Sequence, residues 1–122
     1  MPMRYYIVIT TGWTFSAEAF LGRLRMRWPL VQIEKLSTSQ THTFQDFEFP
    51  MDRSVLYGSV ELLGKGLTID SGALEDCAEF AHWCRALIPP SEKVVFCHES
   101  MAIDFLLEPG MTPAEIAQAM RA

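Results

Sequence analysis

The chain has 122 residues, 49% of them hydrophobic and 20% charged, the make-up of one globular domain and not of a disordered chain. Its net charge of −5 falls wholly in the second half: residues 1–61 carry six basic and six acidic side chains, residues 62–122 four basic and nine acidic. An acidic domain repels nucleic acid and anionic membranes and suits a basic partner, so neither of the first two is an expected partner.

No run approaches the roughly 20 apolar residues of a membrane-spanning helix. The apolar stretch at residues 5–9 is too short for a signal-peptide core and precedes no small-residue cleavage site. The expected location is the cytoplasm. Residues 4–10 are β-branched and aromatic and predict a buried strand. After a turn at residues 11–14, Ser16 caps a predicted helix over 16–28 whose Phe20, Leu21, Leu24 and Trp28 share one face; Pro29 ends it. Residues 30–36 read as a second strand, and the wholly polar residues 37–43 as a mobile loop. Phe47, Phe49 and Met51 then alternate with Asp46, Glu48 and Pro50, predicting a half-buried strand at a sheet edge, where proline lacks no ladder bond.

Residues 54–63 and 67–70 flank Gly64-Lys65-Gly66, a hairpin signal. The clearest amphipathic helix runs over 73–88, with Leu74, Cys77, Ala78, Ala81, Cys84 and Ile88 as its apolar stripe. Pro89-Pro90 stops it. Strands follow at 93–97 and 102–107, then a turn at Glu108-Pro109-Gly110. Thr112-Pro113-Ala114-Glu115 is a capping box opening a short last helix with Ile116 and Met120 inward. The order is β-α-β-β-β-β-α-β-β-α. Each longer helix leads to a strand that could pair parallel to the one before the helix by a right-handed crossover. The expected fold is a single α+β domain over 1–122: one mixed sheet of about six strands, two longer helices and a short C-terminal helix.

The chemistry-bearing residues assemble no site. Cys97-His98-Glu99 has nucleophile, base and acid side by side, but consecutive strand residues face opposite ways, so Cys97 and His98 do not meet. His82 shares a helix face with Glu75 and Glu79 without the second histidine a metal site typically uses. His42 stands alone in the polar segment. Gly64-Lys65-Gly66 lacks the spacing and the following Ser/Thr of a phosphate loop. Arg23, Arg25 and Arg27, with Arg4 and Lys35, form a basic cluster that also reads as a solvated face. Cys77 and Cys84 lie two helical turns apart, about 10 Å, beyond disulfide reach, so all three cysteines are expected reduced and buried. The expectation is no enzyme, no metal and no cofactor.

The acidic residues are denser. Asp70, Glu75, Asp76 and Glu79 crowd the start of the second long helix, and Glu99 and Asp104 lie on or between the following strands. Some are accounted for by the helix dipole alone. Together they form a candidate electronegative docking face.

This profile of a compact, acidic single domain resembles the small immunity proteins of bacterial toxin–immunity systems. The segment 73–83 (Ala-Leu-Glu-Asp-Cys-Ala-Glu-Phe-Ala-His-Trp), Ile88-Pro89-Pro90 and residues 94–99 also look like a stretch in uncharacterised bacterial proteins of this size. The resemblance implies a cytoplasmic inhibitor that binds a cognate toxin through a basic toxin surface. The candidate docking face read from the charge pattern supplies the expected partner-binding residues, Asp70, Glu75, Asp76, Glu79, Glu99 and Asp104. Two other readings stand beside it: a small-ligand binder or enzyme whose pocket is lined by aromatics such as Trp13, Trp28 and Trp83, and a subunit that dimerises through a sheet edge.

Overall fold

The computed structural model describes residues 3–39, 42–61, 66–100 and 102–121. Along them run β1 (Met3–Ile9), α1 (Ala17–Arg27), β2 (Gln32–Ser39), β3 (His42–Pro50), β4 (Val55–Glu61), β5 (Gly66–Ser71), α2 (Leu74–Ala86), β6 (Val94–His98), β7 (Asp104–Leu106) and α3 (Pro113–Arg121). The fold is α+β, in the expected element order.

Local chemistry sets the helix ends. The Ser16 hydroxyl accepts the Ala19 N–H at 3.3 Å, Glu18 sits in the first turn of α1, and Arg25 and Arg27 sit in the last, each matching the helix dipole. At α2 the N-cap position is Ala73, which has no capping side chain. Ser71 takes over: its hydroxyl accepts the Ala73 N–H at 3.1 Å and donates to the Ala73 carbonyl at 2.8 Å. The capping box of α3 forms reciprocally, with Glu115 accepting the Thr112 N–H at 2.9 Å and Thr112 accepting the Glu115 N–H at 3.1 Å. Gly110, at φ 85°, makes the left-handed turn ahead of it.

Seven strands form one sheet in the order β2-β3-β4-β5-β1-β6-β7, every neighbouring pair antiparallel. The expected mixed sheet therefore gives way to an antiparallel one. The chain does run in the same direction before and after each long helix, as a crossover requires. However, β1 inserts between β5 and β6, and β2 travels to the far edge. The strands joined by a helix are thus never neighbours. Two further expectations change. Residues 37–43 were expected as a loop, yet Ser37 pairs with Phe44, Thr38 with Thr43 and Ser39 with His42, so both strands extend into the polar stretch, of which residues 40 and 41 lie outside the described residues. Serine and threonine backbones gain the ladder hydrogen bonds there, which local polarity does not reveal. β3 lies inside the sheet, not at its edge; Pro50 is its terminal residue, opposite Val55. The antiparallel pairing of β4 and β5 fits the predicted hairpin, whose connecting residues 62–65 lie outside the described residues.

All three helices cover one face of the sheet and share one core. The centre of that core is aromatic: Trp28 stacks on Phe49 with ring centroids 4.6 Å apart, and Phe80 lies 5.7 Å from Trp28 and 6.1 Å from both Phe47 and Phe49. Burying each such ring contributes roughly 2–3 kcal/mol. Trp28, offered by the sequence as a pocket wall, is core. Cys77, Cys84 and Cys97 are free thiols, and all are buried. Burial pushes the Cys77 thiol up to about 11 and the Cys84 thiol to about 12, so both stay protonated and unreactive near neutrality.

Candidate functional site

With the helices on one face, the alternate residues of the same strands form a second, uncovered face. Its ladder rungs follow from the register. One rung reads Glu48, Tyr57, Asp70, Arg4 across β3, β4, β5 and β1. The next reads Asp46, Ser59, Thr68, Tyr6. The register of β2 against β3 shifts between Ile33 and Leu36, a bulge that bends the edge strand. The Gln45 amide steadies it by donating to the Glu34 carbonyl. The face holds a groove of about 740 Å³, lined among others by Glu34, Leu36, Asp46, Glu48, Tyr57 and Asp70.

The groove is electronegative. Glu34, Asp46, Glu48 and Asp70 line it against one cation among the described lining residues, Arg4. Arg4 meets Asp70 at 3.9 Å in a half-exposed pair of the kind that adds little stability. Asp46 is oriented by the Ser59 hydroxyl, which donates to it at 2.6 Å. The hydrogen bond that protonated Glu48 makes to Glu34, then burial and the nearby Glu34 charge, raises the Glu48 pKa above the ordinary glutamate value. Burial raises that of Asp70, with Arg4 opposing and Glu99 adding to the rise.

These shifts give a titration prediction. On the helix side, Glu75 titrates below its ordinary value, held down by a backbone hydrogen bond and by Arg121, and Glu115 does so through its bonds to Thr112. For Glu48 and Asp70 the sign is opposite. Their raised values favour the protonated folded state, so their contribution is present below the ordinary carboxylate value and is lost as pH rises through the folded value. The contribution of Glu75 and Glu115 is present above the ordinary value and is lost as pH falls. Carboxyl-carbon NMR is expected to record Glu48 titrating after Glu75 and Glu115 on an upward pH series, and Asp70 titrating above the ordinary aspartate value. The reverse order would refute the electrostatic description of the groove.

The acidic residues singled out from the sequence divide between two sides. Asp70 and Asp104 belong to the open face, Asp104 on the outer strand β7 opposite Cys97. Glu99 is exposed, and its N–H donates to the Arg4 carbonyl at 3.0 Å, next to that face. Glu75 and Glu79 stand on α2, behind the sheet. Glu75 is paired with Arg121 of α3 and reaches Arg53 at 3.9 Å. Asp76 is not a surface acid. It is only 3% exposed and accepts the Arg53 N–H at 3.1 Å and the Ser54 hydroxyl at 2.7 Å, fastening the β3–β4 turn to α2. The six acids therefore do not form one patch. Missing from that set were Glu34, Asp46 and Glu48, although the alternation of Asp46 and Glu48 with Phe47 and Phe49 already turned them away from the core.

No protein-family model, curated protein or solved structure matches this chain. The functional reading therefore rests on the geometry. Among the described residues, no group of three or more His, Cys, Asp or Glu side chains is placed to hold a metal ion, and no helix is long and apolar enough to cross a membrane. Cys97 and His98 face opposite sides of β6. Cys97 lies across from Tyr6 on the open face, while His98 packs edge-on against Tyr5 and its Nδ1 meets the Ser100 hydroxyl at 2.8 Å. His82 Nδ1 contacts the Met111 carbonyl at 2.7 Å, tying α2 to the segment before α3. Arg23, Arg25 and Arg27 are exposed on α1, with Arg27 over the Trp28 ring at 4.6 Å. The side chains of Lys35 and His42 lie outside the described residues.

Proposed function

We propose that this chain is an immunity-type protein that neutralises a toxin domain by docking its uncovered, acidic sheet face on a basic surface of that toxin. The observation that carries the reading is the groove itself: Glu34, Asp46, Glu48 and Asp70 line one concavity on a sheet face that no helix covers. The hydroxyl of Ser59 and the bend of β2 hold the walls in place before a partner arrives, which lowers the ordering cost of association. A field of one sign over such a surface steers a cationic partner and makes the association rate fall with salt. The resemblance of its acidic single-domain profile to small immunity proteins supports a toxin as that partner.

The test is coexpression. The product of the gene adjoining this one is expected to arrest bacterial growth when induced alone and to be tolerated when this chain is present. The double variant Asp46→Lys/Glu48→Lys, confirmed folded by circular dichroism, is expected to lose protection and to slow association with that product by about tenfold or more at low salt. A neighbouring product without toxicity, or one whose toxicity this chain does not relieve, overturns the immunity reading. Full protection by the double variant places the interface on another face.

A further inference from the structure

We infer that the acidic face receives an arginine side chain of its partner at Tyr57, stacked on the ring and hydrogen-bonded by the carboxylates beside it. This rests on the reading of that face as a docking surface and specifies what it recognises. The ladder places Glu48 directly opposite Tyr57 on one side and Asp70 directly opposite it on the other. Side chains directly opposite each other on one face of an antiparallel pair stand roughly 5 Å apart at their Cβ atoms. An aromatic ring therefore lies between two carboxyl groups on a single rung. Tyr57 is 49% exposed, and it lines the groove instead of entering the core.

Each part of that rung matches a feature of guanidinium. The planar cation stacks on an aromatic face, where the ring's electron density attracts it. Its fork of N–H donors matches the two oxygens of a carboxylate. A lysine ammonium carries the same charge but is more strongly hydrated and has neither the flat face nor the fork. Asp70 retains acceptor capacity, because its contact with Arg4 is long at 3.9 Å and half-exposed. Glu48 is backed by Glu34, so a cation there relieves the repulsion between neighbouring carboxylates. A second copy of this chain is a poor occupant of the same face, since two copies would bring like charges together. Nucleic acid is repelled for the same reason.

The experiment compares two probes, acetylated decapeptides alternating glycine with arginine or glycine with lysine, binding to the full chain at low salt. The arginine peptide is expected to bind about fivefold tighter than the lysine peptide. Tyr57→Phe keeps the ring and is expected to keep that preference. Tyr57→Leu is expected to erase the preference while still binding both peptides. Glu48→Gln/Asp70→Gln is expected to weaken both. Equal binding of the two peptides, or an arginine preference that survives Tyr57→Leu, overturns the inference; if Glu48→Gln/Asp70→Gln still weakens both, the acidic docking face stands without it. A parent chain that binds neither peptide overturns the arginine site and the acidic docking face together.

Discussion

Replacing Arg85 with methionine is expected to destabilise the domain by about 4 kcal/mol, close to a thousandfold in the folding equilibrium. Arg85 lies in the last turn of α2 and is only 4% exposed. Its Nε donates to the Leu107 carbonyl at 2.8 Å and Nη1 to the Ile88 carbonyl at 2.9 Å. Nη1 also reaches the Pro89 carbonyl at 3.4 Å, and Nη2 reaches those of Pro90 at 3.4 Å and Glu92 at 3.0 Å. One guanidinium thus satisfies carbonyls of the α2 C-terminus, the Pro89-Pro90 turn and the end of β7. The Pro89 carbonyl also accepts the Glu92 N–H at 3.0 Å, but neither proline can donate, having no N–H. Burial lowers the Arg85 pKa, with Glu108 and Glu92 among the charges opposing that shift, and an arginine still remains charged. Methionine fills a similar volume but leaves the Leu107 and Ile88 carbonyls dry, at a cost of about 1–3 kcal/mol for each unsatisfied group. Arg85→Lys supplies a charge and three donors in the wrong geometry and is expected to cost about half as much. Urea denaturation measures both. A methionine variant within 1 kcal/mol of the parent chain would mean that water replaces the guanidinium easily.

Gly58→Val is expected to cost about 3 kcal/mol, the upper range for overpacking a close-packed interior. Gly58 lies in the middle of β4, directly opposite Phe47, and the Phe47 ring lies over it. A Cβ built at Gly58 would stand inside the van der Waals envelope of that ring. The ring has nowhere to go: it is 1% exposed and packed against Phe20, Phe49 and Phe80 with centroids 6.0 to 6.2 Å away. Valine suits strands in general, so only the clash explains a loss of this size. Phe47→Leu in the same chain opens room, and the pair is expected to be less destabilised than the two single losses added, by at least about 1 kcal/mol. Thermal or urea unfolding of the four proteins closes the cycle. Additive losses would show that the ring moves aside freely. The site is linked to this packing, because Gly58 joins Tyr57 and Ser59, two residues of the groove, and a displaced β4 displaces both.

Much of the local structure was legible in the sequence because its causes are local. Ser16 at the head of α1, Pro29 after it and the Thr112–Glu115 box of α3 act within one turn of chain, and each works in the structure as its chemistry requires. The apolar stripe of α2 likewise placed Cys77 and Cys84 in the core, since a 3.6-residue period suffices to define a face. The alternation of Phe47 and Phe49 with Asp46 and Glu48 also separated core from solvent along β3.

Only the tertiary structure decided how these elements meet. Nothing within residues 3–9 announces that β1 inserts between β5 and β6, more than fifty residues away; the pairing is chosen by what buries most apolar surface across the whole chain. The polar residues 37–39 became strand because β3 supplied partners for their backbone groups. Asp76 and Glu75 are neighbours with identical charge, yet one is sealed against Ser54 and the other lies at the surface beside Arg121, a difference set by residues 22 and 46 positions away. The groove arose in the same way. Its carboxylates come from β2, β3 and β5, and its tyrosine from β4. Along the strands, the alternation of the sequence specified which side chains turn away from the core. Which of them become neighbours depends on strand order and register, because both are settled by long-range packing and ladder hydrogen bonds that no short window of sequence contains.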